Sequence, residues 1–313
     1  MLAKLLQPRF PSCAVGIETG IASGVQLERG RGGFVVKRAA SVNLPADLVR
    51  ANFDENNIGD PAELTSALSD LITSAGLLRQ RKWSVALPEA SARAAILTIE
   101  GKPGSRRELE EVLEWKIERS FGAPLSELRV TREQLMPDSQ KQPRYLITAI
   151  RLSVLAEYEA VFAALGWHAG LILPRHAGEE QWLRNGKSGD GLLLTAHNEG
   201  FTAVLMRGQR PLTLRSVFCE IEECDDEIHR VLLFYSERSG PSGAGGSSTG
   251  APVDRLLVVG DRLDKQRVAQ IAQDTLGVSL RPMDAADVGL LIPPGDLAFD
   301  TIAAPAGLAR LAW

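Results

Sequence analysis

The residues best suited to chemistry lie in an opening hairpin at positions 14–28. An apolar strand, a turn bounded by glycine and a second strand follow one another, with glycines at positions 16, 20 and 24. Glycine lets the backbone approach a ligand closely or adopt positive φ angles, and such a turn can bind phosphate through its backbone N–H groups. The hairpin therefore predicts either a phosphate-binding turn or a purely structural one.

A second group with possible chemistry combines Cys219, Cys224 and His229, which are five residues apart. Thiolate and imidazole bind zinc, but a helical spacing of five does not place three side chains on one face, and no fourth ligand is evident. The pattern favours two buried thiols and a surface histidine. The acidic run at 222–227 is typical of a helix start, where the macrodipole stabilises carboxylates, rather than of a metal site.

Other catalytic signatures are missing from the sequence. It contains no Walker A sequence and no Gly-x-Gly-x-x-Gly after a strand. The remaining histidines have no serine or cysteine partner in a catalytic motif; they are His168, His176 and His197. The motifs therefore assign no catalytic residue and no metal ligand.

Composition places the chain among globular proteins and excludes several function classes. A length of 313 residues suffices for about two domains. The formal net charge is −4 and the basic residues are evenly spread, which argues against nucleic-acid binding. No stretch approaches the ~18 apolar residues of a membrane span. Residues 1–8 predict a frayed tail rather than a secretory signal, and three cysteines without framework spacing fit a reducing cytosol.

The elements that position these residues form two halves, and both halves begin with the same order of strands and helix. In the first half, a three-stranded meander over residues 14–37 precedes a helix that Asp60 caps and Gly76 ends. In the second half, a meander over residues 191–215 precedes a helix at 225–238. This is an internal repeat of architecture. Further strands are expected at 83–88, 171–174 and 256–260.

Residues 92–150 indicate a small α+β module inserted into the first half. Its helix begins with a predicted capping box of Ser105 and Glu108, and a hairpin of strands at 128–134 and 145–150 follows it. Further helices are predicted at 153–165 and from residue 178 to 183. The glycine–serine loop at 239–252 is expected to be mobile.

The chain resembles the PilM family of type IV pilus assembly and, more distantly, FtsA. The resemblance implies an α/β, actin-like (ribonuclease H-like) duplicated fold, with two mixed-sheet halves around a cleft. The halves would be residues 1–186, with the insertion at about 92–150, and residues 187–313, whose final helix at about 300–313 packs back on the first half. The segments that carry the resemblance are GIETG (16–20), RRELEEVLEWKIER (106–119), 145–151, GQRPLTLR (208–215), VDRLLVVG (253–260) and AGLARL (306–311).

The resemblance also implies a nucleotide cleft, from which this sequence departs. Glu18 stands where the family pattern has aspartate, and Val25 where it often has lysine. Residues 194–198 supply no carboxylate. Gly260 and Asp261 stand where the family pattern has a pair of glycines on the adenosine side. We therefore expect a degraded site with no cofactor, the alternative being bound ATP and Mg²⁺. The implied cleft positions are Gly16, Glu18, Thr19, Gly20, Asn198, Gly200, Gly260 and Asp261.

The function implied by the resemblance is a cytoplasmic adaptor of the pilus machinery. It would bind the N-terminal cytoplasmic tail of a PilN-type inner-membrane protein, in a groove between the first half's main sheet and the inserted module. Partner proteins, including other pilus components, would hold it peripherally at the inner membrane. The alternatives are an active ATPase or kinase of the same fold, and the cytoplasmic domain of a type II secretion L protein.

Overall fold

The computed structural model describes residues 10–101, 103–138, 140–184, 189–238, 252–295 and 297–313. The predicted N-terminal tail lies outside these ranges. The predicted glycine–serine loop also lies outside them, except for Pro252. Within the described ranges, no helix is both long enough and apolar enough to cross a membrane.

Strands and helices of the described residues are numbered in chain order. The strands are β1 (Cys13–Glu18), β2 (Ile21–Arg29), β3 (Phe34–Asn43), β4 (Lys82–Leu87), β5 (Arg93–Thr98), β6 (Leu128–Leu135), β7 (Arg144–Arg151), β8 (His168–Pro174), β9 (Asp190–His197), β10 (Gly200–Arg207), β11 (Arg210–Phe218), β12 (Val253–Val259) and β13 (Leu290–Leu291). The helices are α1 (Pro61–Ser74), α2 (Arg106–Phe121), α3 (Leu152–Ala164), α4 (Arg175–Glu179), α5 (Cys224–Arg238), α6 (Lys265–Leu276) and α7 (Phe299–Ala309).

Most predicted elements are confirmed, and the differences lie at their ends. β3 continues to Asn43 instead of ending at 37, because it pairs with β2 along its whole length. β11 is longer than predicted for the same reason, through its pairing with β10. α4 begins at Arg175, three residues before the predicted start, and a 3₁₀ turn over Glu180–Leu183 continues it. Pairing with the preceding strand thus extends β3 and β11 beyond their predicted ends.

The first half is built on a six-stranded mixed sheet in the order β13-β3-β2-β1-β4-β8. Strands β1, β2 and β3 form the predicted antiparallel meander, while β4 runs parallel to β1 and β8 parallel to β4. β1 is buried on both faces, which explains its nearly uninterrupted apolar sequence. Val15 and Ile17 enter a core with α1 and α3, whereas Ala14 enters a second core that includes α7.

The second half is built on a four-stranded sheet in the order β11-β10-β9-β12. One face packs against α5 and α6 through residues such as Ile228 and Ile271. The other face contributes Leu193 and Val259 to the core that holds Ala14 of the first half. The inner faces of the two sheets are therefore buried in one shared core.

The inserted module is an antiparallel sheet in the order β5-β7-β6, covered by α2. Leu113 and Ile117 of α2 enter its core. Ser105 Oγ accepts a hydrogen bond from the Glu108 backbone N–H, as the predicted capping box requires. The Glu108 carboxylate, however, accepts from the backbone N–H of Gly104, one residue before the cap. The capping box is therefore half formed.

A cluster that we term the Phe53 junction ties the module to the first half. Phe53 lies in the module core against Phe121, with 6.4 Å between the ring centroids. The guanidinium groups of Arg93 and Arg151 lie 4.3 and 5.7 Å from the Phe53 ring centroid. Asp54 accepts hydrogen bonds from Arg93 at 3.0 Å and from Arg151 at 2.8 Å. Cation–π contacts and ion pairs thus converge on two neighbouring residues.

The two halves are held together where α4 crosses α7. A Cβ atom built on Gly307 would lie 1.9 Å from the carbonyl oxygen of Gly178, and one built on Gly178 would lie 2.2 Å from that of Ala304. The backbones of the two helices are therefore in direct contact, which a larger residue at either position would prevent. Trp182 Nε1 donates to the Ala303 carbonyl at 2.8 Å beside this crossing.

We expect Gly307→Ala to lower the free energy of unfolding by about 3 kcal/mol, because the new methyl group must displace packed backbone. Urea unfolding of the full chain measures the change. Gly295→Ala is the control, because a Cβ atom there meets no other atom within 4 Å. Equal stability of the two variants would contradict the close crossing.

Candidate functional site

A cleft of about 820 Å³ lies between the two halves. It is lined by the β1–β2 turn, the β9–β10 turn, residues 47–56, residues 260–262 after β12, and the first part of α7. Its volume is in the range of small-molecule sites. The two hairpin turns meet at this cleft because the meanders that carry them belong to sheets that share one core.

Six of the eight predicted site residues line the cleft. They are Gly16, Glu18, Thr19, Asn198, Gly260 and Asp261. The other two lie in the same hairpins without lining it: Gly20 closes the β1–β2 turn with a φ of 86°, and Gly200 begins β10.

Gly16 makes room for α7 as well as for the cleft. A Cβ atom at this position would lie 3.0 Å from Cδ of Pro305 and 3.1 Å from Oγ of Ser23. Pro305 has no N–H to donate to the Thr301 carbonyl one helical turn earlier, and Ser23 Oγ donates to that carbonyl instead, at 2.8 Å. The absence of a side chain at Gly16 is thus explained by helix packing.

Arg175 forms the centre of an ionic cluster, the Arg175 network, beside the cleft. Its Nε atom lies 2.5 Å from Glu179 and 3.5 Å from Glu18. Its Nη1 donates to the carbonyl of Ala196 at 3.3 Å. Glu179 also accepts a hydrogen bond from the hydroxyl of Thr195. The network therefore joins β1, α4 and β9.

The Arg175 network contains two carboxylates and one guanidinium. Burial raises the pKa of Glu18 to about 7 in spite of Arg175, although a quarter of the side chain is exposed. Burial likewise raises the pKa of Glu179. Burial acts to lower the pKa of Arg175, but Glu179 and Glu18 outweigh it and raise that pKa. The guanidinium stays charged, and the two acids share it.

A second buried pair, Glu89 and His176, lies next to this network. His176 Nδ1 is 2.5 Å from one Glu89 oxygen, and the His176 backbone N–H donates to the other at 3.0 Å. Burial acts to raise the pKa of Glu89, but His176 outweighs it and lowers the pKa to about 2. Burial acts to lower the pKa of His176, but Glu89 outweighs it and raises that pKa. The pair is therefore an ion pair.

Sequence motifs missed these four residues. Arg175 and Glu179 show only the i,i+4 spacing of an ordinary helical ion pair. Glu89 and His176 are far apart in the chain, so nothing local links them. These charged residues come together only through the tertiary structure, which local sequence motifs do not encode.

The lining of the whole cleft contains more acidic than basic side chains. Seven carboxylates and three guanidinium groups line it. Burial lowers the pKa of His197, which therefore adds no positive charge at neutral pH. Within the described residues, Glu55, Glu199 and Asp261 have no ion pair. The seven acids are Glu18, Asp47, Glu55, Glu89, Glu199, Asp261 and Asp300, and the three bases are Arg50, Arg175 and Arg262.

Cys219, Cys224 and His229 do not form a metal site in the structure, as the sequence indicated. The Sγ atoms of Cys219 and Cys224 are 3.2 Å apart, and Cys224 is buried while Cys219 is half-buried. His229 is exposed and its Nδ1 lies 2.8 Å from Oγ1 of Thr275 on α6. Across the part of the chain that the structure describes, no group of three or more His, Cys, Asp or Glu residues is arranged to hold a metal ion.

Two mixed-sheet halves with hairpin turns at a common cleft define the class of this fold. The chain has the duplicated actin-like ATPase fold, as predicted. It is similar to the solved structure of a PilM-PilN type IV pilus biogenesis complex, with a TM-score of 0.74 and 19% identity over 97% of this chain and 99% of that chain. At this identity the similarity establishes the fold alone.

Other comparisons are more distant. The cytoplasmic domain of EpsL, an inner-membrane component of the type II secretion system of Vibrio cholerae, has a TM-score of 0.46 and 11% identity over 96% of this chain and 93% of that chain. That similarity is too low to support an argument. No family model matches the chain, and no curated protein matches it.

The Glu89–His176 ion pair predicts a pH-dependent stability. Because its folded pKa is raised, His176 contributes stability fully below its unfolded pKa of about 6.5, and this is lost as the pH rises through the folded value. Glu89 contributes above its unfolded pKa of about 4.3, and this is lost as the pH falls toward about 2. Glu89→Gln should therefore cost about 3 kcal/mol near pH 5.5, and less above the folded pKa of His176.

Urea unfolding of wild type and Glu89→Gln between pH 5 and pH 9 measures how the cost of the substitution depends on pH. The control is His168→Gln at an exposed histidine of β8, which should leave the pH profile unchanged. A Glu89→Gln cost that is the same at every pH in this range would contradict the ion pair.

Proposed function

We propose that this protein is an actin-like adaptor of a type IV pilus machine that binds the cytoplasmic tail of a PilN-type inner-membrane protein. The observation that carries the proposal is the match with a PilM-PilN complex, which extends over nearly the whole of both chains. In the proposal the protein is cytoplasmic, and its partners hold it at the inner membrane.

The tail is proposed to lie as an extended peptide between the six-stranded sheet and the inserted module. Two strand edges support this placement, since the six-stranded sheet ends at β8 and the module sheet ends at β6. An extended peptide can add to such an edge through main-chain hydrogen bonds, with side-chain pockets setting the register. The Phe53 junction supports it as well, because it holds the module in a defined position.

The nucleotide site is proposed to be degraded. Mg²⁺ requires a carboxylate that is free to hold the ion or its waters, whereas the Glu18 carboxylate lies 3.5 Å from the fixed guanidinium of Arg175. Three lining carboxylates, those of Glu55, Glu199 and Asp261, have no ion pair within the described residues, and they oppose the approach of a polyphosphate. These residues do not fit a magnesium nucleotide.

The second candidate function is an active ATPase or kinase. The observation in its favour is the cleft itself, which has the volume of a small-molecule site and is lined by six of the positions that the actin-like resemblance assigned to nucleotide.

A thermal-shift comparison separates the two functions. A synthetic N-terminal tail peptide of a PilN-type protein, at about 100 times its Kd, should raise the Tm by roughly 5 °C, because a ligand of the folded state stabilises it by mass action. Mg²⁺-ATP should leave the Tm unchanged.

A scrambled tail peptide is the control for the first arm and Glu18→Ala for the second. A Tm rise with Mg²⁺-ATP that Glu18→Ala abolishes would establish the enzyme class instead. No response to the tail peptide, at concentrations where the protein is folded and monodisperse, would overturn the adaptor proposal.

A further inference from the structure

We propose that Arg175 is a built-in cation that joins the two halves across the cleft and makes their spacing independent of magnesium nucleotide. The inference extends the proposed loss of the nucleotide site and does not depend on the proposed tail binding. It rests on the geometry of the Arg175 network.

The network connects elements from both sheets. Glu18 ends β1 in the six-stranded sheet, and Arg175 and Glu179 lie on α4, which follows β8 of that sheet. Thr195 and Ala196 lie on β9 in the four-stranded sheet. The bonds from Arg175 to the Ala196 carbonyl and from Thr195 to Glu179 therefore cross from one half to the other.

An arginine suits this position better than a lysine would. The planar guanidinium presents five N–H donors in fixed directions. In this network it reaches two carboxylates and one carbonyl, which belong to Glu179, Glu18 and Ala196. Arg175 is 8% exposed and Glu179 is fully buried, so the ion pair is poorly screened by solvent.

The guanidinium also excludes a second cation. A divalent ion between Glu18 and Glu179 would need oxygen atoms that already face Arg175, and it would lie close to a fixed positive charge. If the guanidinium is removed, the two carboxylates lose their common counter-charge. The two acids must then take up protons or bind another cation, and a divalent cation can neutralise both at once.

Arg175→Met in the full chain tests the proposal, because methionine keeps an apolar stem of similar length. We expect its Tm to fall by about 10 °C in KCl, as two buried acids lose their partner. Mg²⁺ or Mn²⁺ should restore at least half of that loss, relative to KCl of equal ionic strength. Wild-type Tm should not respond to either ion or to Mg²⁺-ATP.

Arg262→Met is the matched control. Arg262 also lines the cleft, but it donates its hydrogen bond to the carbonyl of Asn198 and not to a carboxylate. This variant should show a Tm within 2–3 °C of wild type, on the order of an exposed contact, and no specific response to divalent cations. An equal response of both variants would overturn the proposal.

A double variant keeps the test decisive if Arg175→Met alone does not fold. Arg175→Met with Glu179→Gln removes the unpaired buried charge and should recover stability over the single variant. The proposal fails if the double variant is no more stable than the single one, or if divalent cations do not raise the Tm of folded Arg175→Met. Tail-peptide binding by wild type is measured alongside, so failure of the adaptor proposal is seen separately.

Discussion

The α4–α7 crossing brings two helices together at backbone distance, and the relative placement of the two sheets depends on it. α4 follows the six-stranded sheet and leads to the second half, whereas α7 ends the second half and lies against β1 and β2 of the first. The glycines at the crossing, Gly178 and Gly307, bring each helix close enough for both to fill the shared core. A wider crossing would leave the inner faces of both sheets incompletely covered.

The same helix also builds one side of the cleft. Asp300, near the start of α7, accepts hydrogen bonds from the backbone N–H of Gly260 at 3.3 Å and from Lys265 at 2.8 Å. The backbone carbonyl of the next residue, Thr301, accepts a hydrogen bond from the hydroxyl of Ser23 on β2. The first part of α7 is thus bonded to both halves, and the residues around the cleft are held by packing and polar contacts within the protein.

The sequence was sufficient to predict the repeated meanders, the helices and the inserted module, because strand and helix periodicities are local signals. It also predicted that Glu18 and Asn198 would line one cleft, through a resemblance that covers both halves. It did not predict Arg175, Glu89 or His176, because their partners are distant in the chain. For Gly16 the sequence suggested room for a ligand, and it contained no sign that Pro305 and Ser23 pack against this position.

Residues 47–56 belong to two parts of the molecule at once. Asn52 and Glu55 line the cleft, while the intervening Phe53 and Asp54 form the junction with the module. The Asn52 side chain accepts hydrogen bonds from the backbone N–H groups of Asp54 at 2.7 Å and of Glu55 at 3.1 Å, so the segment is a stiff turn. A rotation of the module that keeps these contacts would therefore also move Asn52 and Glu55, which form one wall of the cleft. The turn is thus the part of the chain through which a displacement of the module would reach Asn52 and Glu55 at the cleft.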